Sequence, residues 1–126
     1  MRRLTSYRLT ATASALGAGT YTTSGSIPRG KVAMVEVDYP AATVALTLTS
    51  KNLAVTQTIM NLSAANTDAV YYPRVPTCVN TGAETILYST GNKVCTEYIV
   101  NGPLTLTLAS GTEGQSVSVI VYIEEY

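Results

Sequence analysis

The sequence predicts an all-β fold: a single antiparallel β-sandwich, jelly-roll-like, of about eight short strands spanning residues 1–126. Three observations lead there. Apolar and polar residues alternate with a period of two over long stretches, turn residues interrupt those stretches at regular intervals, and only one segment competes as a helix. The same pattern suits an immunoglobulin-like order, because alternation does not order strands. The jelly roll is the first choice.

"SYRLTATAS" sets Tyr7, Leu9, Ala11 and Ala13 against Arg8, Thr10, Thr12 and Ser14. "KVAMVEVDYP" places Ala33, Val35, Val37 and Tyr39 on a core face, with Met34, Glu36 and Asp38 opposite. "ATVALTLTS" does the same with Val44, Leu46 and Leu48. Such alternation marks half-buried antiparallel strands. "LAVTQTIMNLSAA", residues 53–65, is the helix competitor, with Val55, Ile59 and Leu62 at helical spacing. Its threonines and Ile59 favour a strand to about residue 60, then a loop. "PLTLTLAS" directs Leu104, Leu106 and Leu108 inward, and "SVSVIVYIEEY" directs Val117, Val119, Val121 and Ile123 inward. Between the runs stand "SGSIPRG", "SKN", "NTGA", "STGN", "NGP" and "SGTEG", all built from turn residues.

Composition narrows the function classes. Hydrophobic residues make up 46% of the chain and charged residues 13%, half the roughly 25% of an average soluble protein. Eight basic and eight acidic residues cancel, and no basic stripe exists to neutralise phosphates, so no nucleic-acid partner is expected. No apolar run approaches the roughly 20 residues of a membrane-spanning helix, and no membrane partner is expected. Arg2-Arg3 followed by "LTSYRLTAT" lacks the apolar stretch of an export signal, so the expected place is the cytoplasm or a particle assembled there. A neutral, threonine-rich surface suits a protein inside a larger assembly.

Chemistry is scarce. With no histidine, histidine-based triads and the commonest zinc ligand sets are excluded. Cys78 and Cys95 fit no metal or redox motif; two free, mostly buried thiols are expected, with Cys95 across from Ile86 or Tyr88 if "STGN" is a tight hairpin turn. Glu36 and Asp38 share a strand face, as an acid pair or calcium clip would, but an outer solvated face explains them better. Glu124-Glu125 reads as a soluble end or a guard against edge pairing. Asn61-Leu62-Ser63 is a glycosylation pattern without an export signal. No enzyme activity, cofactor or metal is expected.

All nine aromatic residues are tyrosines, and most fall on alternating strand positions where a half-buried Tyr is ordinary. "DAVYYPRVPTC" is the exception. Adjacent Tyr71 and Tyr72 on an extended backbone point to opposite sides, one inward and one outward. Pro73 ends the strand, Arg74 leaves the sheet, and Pro76 prevents the strand from resuming. The result is a projecting corner with an aromatic ring and a guanidinium, residue types enriched in interface hot spots. Tyr71, Tyr72 and Arg74 are the candidate interface residues; against that stands a purely local role, with Arg74 stacking on Tyr72 or capping a carbonyl.

The runs "SIPRGKVAMVEVDYPAATVALTLTS", "DAVYYPR" and "YIVNGPLTLTLASGTEGQSVSVIVYIEEY" resemble small all-β virion proteins of tailed bacteriophages, the head decoration, cement or auxiliary capsid type, over residues 26–126. The resemblance implies a virion location, a shell-reinforcing role, contacts with the major capsid protein or other virion proteins, and a homo-oligomer, with a trimer favoured. It supplies no catalytic residues. Residues 1–6 would serve as an N-terminal arm reaching a neighbour or form a frayed end. Two other functions fit the residues: a tail, vertex or head-fibre anchoring module of the virion, and a glycan-binding β-sandwich.

Overall fold

The computed structural model describes residues 3–25, 27–39, 43–65, 67–76, 86–87, 92–93 and 95–125. Six long strands form the frame: β1 (Arg3–Thr12), β3 (Arg29–Asp38), β4 (Val44–Lys51), β5 (Thr56–Ala65), β12 (Leu104–Ala109) and β13 (Ser116–Glu125). Short strands complete it: β2 (Gly19–Thr22), β6 (Ala69–Tyr71), β7 (Arg74–Pro76), β8 (Ile86–Leu87), β9 (Asn92–Lys93), β10 (Cys95–Glu97) and β11 (Ile99–Asn101).

Two antiparallel sheets face each other. One runs β1-β13-β3 and ends in β6 and β11, which both pair with β3; the other runs β2-β12-β4-β5. β6 and β11 lie end to end along β3, opposite Val35–Val37 and Arg29–Lys31 respectively, and so fill one strand position between them. Eight positions result. In chain order they alternate between the sheets except at the β4–β5 hairpin, which stays in one sheet, as the two interlocked Greek keys of a jelly roll require. Each sheet buries one face, which fixes the register, because a one-residue slip would turn the apolar set outward.

The core follows the period of two. Leu48 stands beside Leu106 and Leu46 beside Leu108 in one sheet, all essentially without exposure. Opposite them, Leu9–Val119–Val37 and Tyr7–Val121–Val35–Tyr71 form cross-strand rows. Each such aliphatic side chain contributes about 1.5–3 kcal/mol through burial. Ser50 is the only fully buried polar residue among the described ones; its hydroxyl donates to Asn52 Oδ1 (2.9 Å) and lies 3.3 Å from Gln57 Nε2.

The structure corrects three expectations. Ala33 is half-buried, and Val32 takes the inward place, because the register between β13 and β3 shifts at Tyr122/Ile123. Beside this irregularity Gly30 has φ 136°, and a Cβ there would stand 2.2 Å from the Glu124 carbonyl oxygen. Residues 53–55 form a turn closed by the Asn52 N–H on the Val55 carbonyl (3.0 Å), while β5 continues to Ala65. The register shift against β4 between Leu48 and Thr49 places neighbouring Ile59 and Met60 both inward, which breaks the strand's period of two, while Val55 lies exposed in the turn. Residues 3–6, expected within an N-terminal arm, are the first rungs of β1, opposite Glu125 to Tyr122.

Candidate functional site

The eighth strand position is broken at the proline corner. β6 ends at Tyr71, the chain leaves the sheet, and it returns at Tyr98, whose carbonyl accepts the Val32 N–H at 2.9 Å. Continuing the β6 register would put Pro73 opposite Ala33. Proline has no N–H to offer, so the Ala33 carbonyl lacks a ladder partner there. Arg74 supplies the substitute: its Nη1 donates to the Pro73 carbonyl (2.7 Å) and reaches the Ala33 carbonyl (3.5 Å). The guanidinium therefore bridges the gap left by the strand that departs.

The excursion is a ribbon. β7 pairs with β10, setting Glu97 opposite Arg74, Thr96 opposite Val75 and Cys95 opposite Pro76; farther out, β8 pairs with β9. Pro76 therefore does not stop the chain from pairing: at a ribbon rung its missing N–H is tolerated. Cys95 faces Pro76 and not Ile86 or Tyr88, because Ile86 is taken by Lys93. It is a free, exposed thiol, correcting the expectation of burial, since its ribbon pairs apart from both sheets and among the described residues no layer covers it. Cys78 lies outside the described residues.

The corner's side chains divide as the extended backbone requires. Tyr71 is half-buried against the core, Pro73 is buried, and Tyr72 stands 62% exposed. Around them Glu97 has its carboxyl held below the usual range by its own backbone N–H, with the Arg74 and Lys31 charges and the Thr96 hydroxyl adding to the effect. Val70 (48% exposed) and Ile99 (63% exposed) leave apolar surface on either side of the break. Beneath it, Tyr39 is pushed up to about 12 by burial and by Tyr71, and its hydroxyl is buried without a hydrogen-bond partner among the described residues. Its N–H donates to Asp68 Oδ1 (2.8 Å). The arrangement offers an aromatic ring, apolar flanks and fixed charges; it holds no nucleophile–base pair. Among the described residues, no group of three or more His, Cys, Asp or Glu is placed to hold a metal.

Glu36 and Asp38 lie on the outer face of the sheet, which Tyr122 shares. Burial raises the Tyr122 phenol, and Glu36 raises it further. Nothing in the sequence pattern signals the role of Glu125. Its carboxylate accepts from Arg3 (3.0 Å), Thr5 (3.1 Å) and Tyr7 (2.8 Å), joining the start of β1 to the end of β13. The Tyr7 bond, then Arg3 and Thr5, depresses its pKa, while burial first and Glu125 second push Tyr7 up to about 12. Only the 3↔125 rung, a product of register, shows that these residues meet.

Fold and corner together define a jelly-roll sandwich with one interrupted edge and no catalytic constellation among the described residues. No protein-family model matches the sequence, and no curated protein matches it. Among solved structures the chain is similar to one titled "Structure of infectious bursal disease virus Gx strain", with TM-score 0.38 and 11% identity. The likeness covers 99% of this chain and 42% of that one. At that TM-score it adds nothing to the architecture described above.

Proposed function

We propose that this chain is a non-enzymatic structural protein of a virion, which decorates and stabilises a bacteriophage capsid through protein–protein contacts. The observation that carries the reading is the broken sheet edge. A charge-poor domain leaves an exposed tyrosine, Val70 and Ile99 around a guanidinium already fixed in place by two carbonyls. An ordered arginine beside an exposed aromatic ring loses little side-chain entropy on docking, which suits an interface anchor. The sequence resemblance supports the major capsid protein or other virion proteins as partners, with further copies of this chain in a trimer; a tail, vertex or head-fibre anchoring role is the alternative. A protein that binds only the assembled shell stabilises that state by linkage, and many copies make modest affinity sufficient.

In this reading Tyr71 supports the corner from the core side, and Tyr72 and Arg74 make the contact. The test is co-sedimentation of the purified protein with phage heads that lack it, after its solution mass has been measured. A closed oligomer that pellets with heads, and a Tyr72→Ala/Arg74→Ala variant that folds but stays in the supernatant, are expected. Unchanged pelleting of the folded double variant removes the corner from the contact. A wild-type protein that ignores heads removes the decoration role, and binding to a glycan array would replace it.

A further inference from the structure

The jelly roll has four sheet edges, and three are blunted. β2 is only four residues long, β5 is kinked by two register shifts against β4, and β6 and β11 are interrupted at the proline corner. Short strands, irregularities and prolines are how sheets avoid unwanted pairing. The fourth edge, β1, has none of these. It makes ten consecutive rungs with β13 without a shift, and no proline occurs between Arg3 and Thr12.

The orientation of its free groups follows from one bond. Ala13, one step beyond the Thr12–Ser116 rung, donates its N–H to the Gln115 carbonyl at 2.9 Å. Antiparallel ladders alternate, so odd residues of β1 direct N–H and C=O to β13, and even residues direct theirs away from it. Thr12 is covered, since the place of a Gly19 Cβ lies 2.2 Å from its carbonyl oxygen. Leu4, Ser6, Arg8 and Thr10 remain, and among the described residues no strand pairs with them. Beside Ser6 and Arg8 this row opens on a groove of about 940 Å³ whose other walls include Tyr21, Ser24 and Arg29.

The groove is cationic. Arg3 is neutralised by Glu125, but Arg8 and Arg29 have no ionic partner among the described residues. The two arginines decide the occupant. A second copy of β1 laid antiparallel on the first, with its four outward residues paired to these four, would set each Arg8 opposite Ser6 and diagonal to the other Arg8, and like charges at that spacing oppose pairing. A strand carrying carboxylates is attracted instead. We infer that β1 is a docking edge that accepts, as an added strand, an extended acidic segment of another protein, with backbone bonds to Leu4, Ser6, Arg8 and Thr10 and with carboxylates against Arg8 and Arg29. Strand addition of this kind draws affinity from main-chain hydrogen bonds and specificity from alternate side chains. The inference stands whether or not the protein sits on a virion.

The test uses the full chain and a labelled peptide of alternating valine and glutamate, as long as the ten residues of β1. Fluorescence anisotropy at low salt should show it binding at least about tenfold tighter than the valine–lysine equivalent, with the advantage shrinking as salt is added. Arg8→Glu should cost roughly tenfold in affinity. Thr10→Pro, which removes an outward N–H while leaving both arginines, should weaken binding comparably. Methylating the peptide's alternate amides, in either register, tests the same bonds with no change to the protein and should abolish binding. Three results overturn the inference: no binding of the glutamate peptide, equal binding of the lysine peptide, or indifference to both methylated registers. Self-association that Thr10→Pro abolishes overturns it too, by making a second copy the occupant.

Discussion

The two sheets bury the same kind of side chain and show solvent quite different ones. On the β2-β12-β4-β5 sheet the outer face is a hydroxyl lattice. Thr22, Thr105, Thr49 and Thr58 stand in one cross-strand row, and Thr20, Thr107, Thr47 and Asn61 in the next. Thr22 and Thr105 share a hydrogen bond of 3.1 Å. On the β1-β13-β3 sheet hydroxyl pairs are confined to one end, Thr10–Ser118 (3.0 Å) and Thr12–Ser116 (2.7 Å), and the other rows are Ser6–Tyr122–Met34 and Arg8–Ile120–Glu36, the second continued by Val70 of β6. The inner period is set by the core and is common to both. The outer residues are free of that demand, so their divergence records what each face is for. Threonine suits an outer sheet face because its branched Cβ favours the strand and it adds no charge. The mixed face ends at the exposed corner and at the cationic edge, where the proposed contacts lie.

The largest expected effect tests the shared inside against the divergent outside on one strand. Leu106→Ala, at a fully buried position, should lower unfolding free energy by about 2–5 kcal/mol. Thr107→Ala, the next residue and exposed, should change it by no more than about 0.5 kcal/mol. Urea denaturation measures both. Similar losses at the two positions would mean that the threonine rows bear structural weight.

This division also explains what the sequence reveals. The inward residues of β4, β12 and β13 are legible because alternation has a cause in burial, and they stand where the pattern puts them. β5 and the start of β3 mislead because an irregular rung shifts the parity without changing the composition. At the corner, the opposed directions of Tyr71 and Tyr72 are legible from backbone geometry alone. That Arg74 would fill the gap opposite Ala33 is not, since it depends on which strand stops beside which. The Arg3–Glu125 meeting is hidden for the same reason: 122 residues of chain separate the partners.

A second, smaller effect sharpens the contrast on the side of the mixed sheet, where charge takes part in folding. Glu125 has a depressed folded pKa, so its contribution is present above the unfolded carboxylate value and is lost as pH falls through the folded one. Tyr7 is raised to about 12, so its contribution is full below the ordinary tyrosine value of 10.0 and is lost as pH rises from there through about 12. Thermal melting between pH 7 and 3 should show Glu125→Gln less stable than the native protein at neutral pH, with the difference closing in acid. A constant difference across that range would assign the loss to packing and not to the carboxylate.

The smallest effect on stability carries the largest functional contrast. Tyr72→Glu and Thr107→Glu each place one carboxylate on an exposed position of one of the two sides, so neither buries an unpaired charge. Both should stay within about 0.5 kcal/mol of the native stability. In co-sedimentation with heads they should part company. A carboxylate at Tyr72 replaces the aromatic anchor and stands in the proposed contact, where a desolvated unpaired charge is costly, so Tyr72→Glu should remain in the supernatant. Thr107→Glu alters a face to which no partner is assigned and should pellet like the native protein. The opposite outcome, with Thr107→Glu released and Tyr72→Glu bound, would make the hydroxyl lattice the docking face and the proline corner a device for ending a strand.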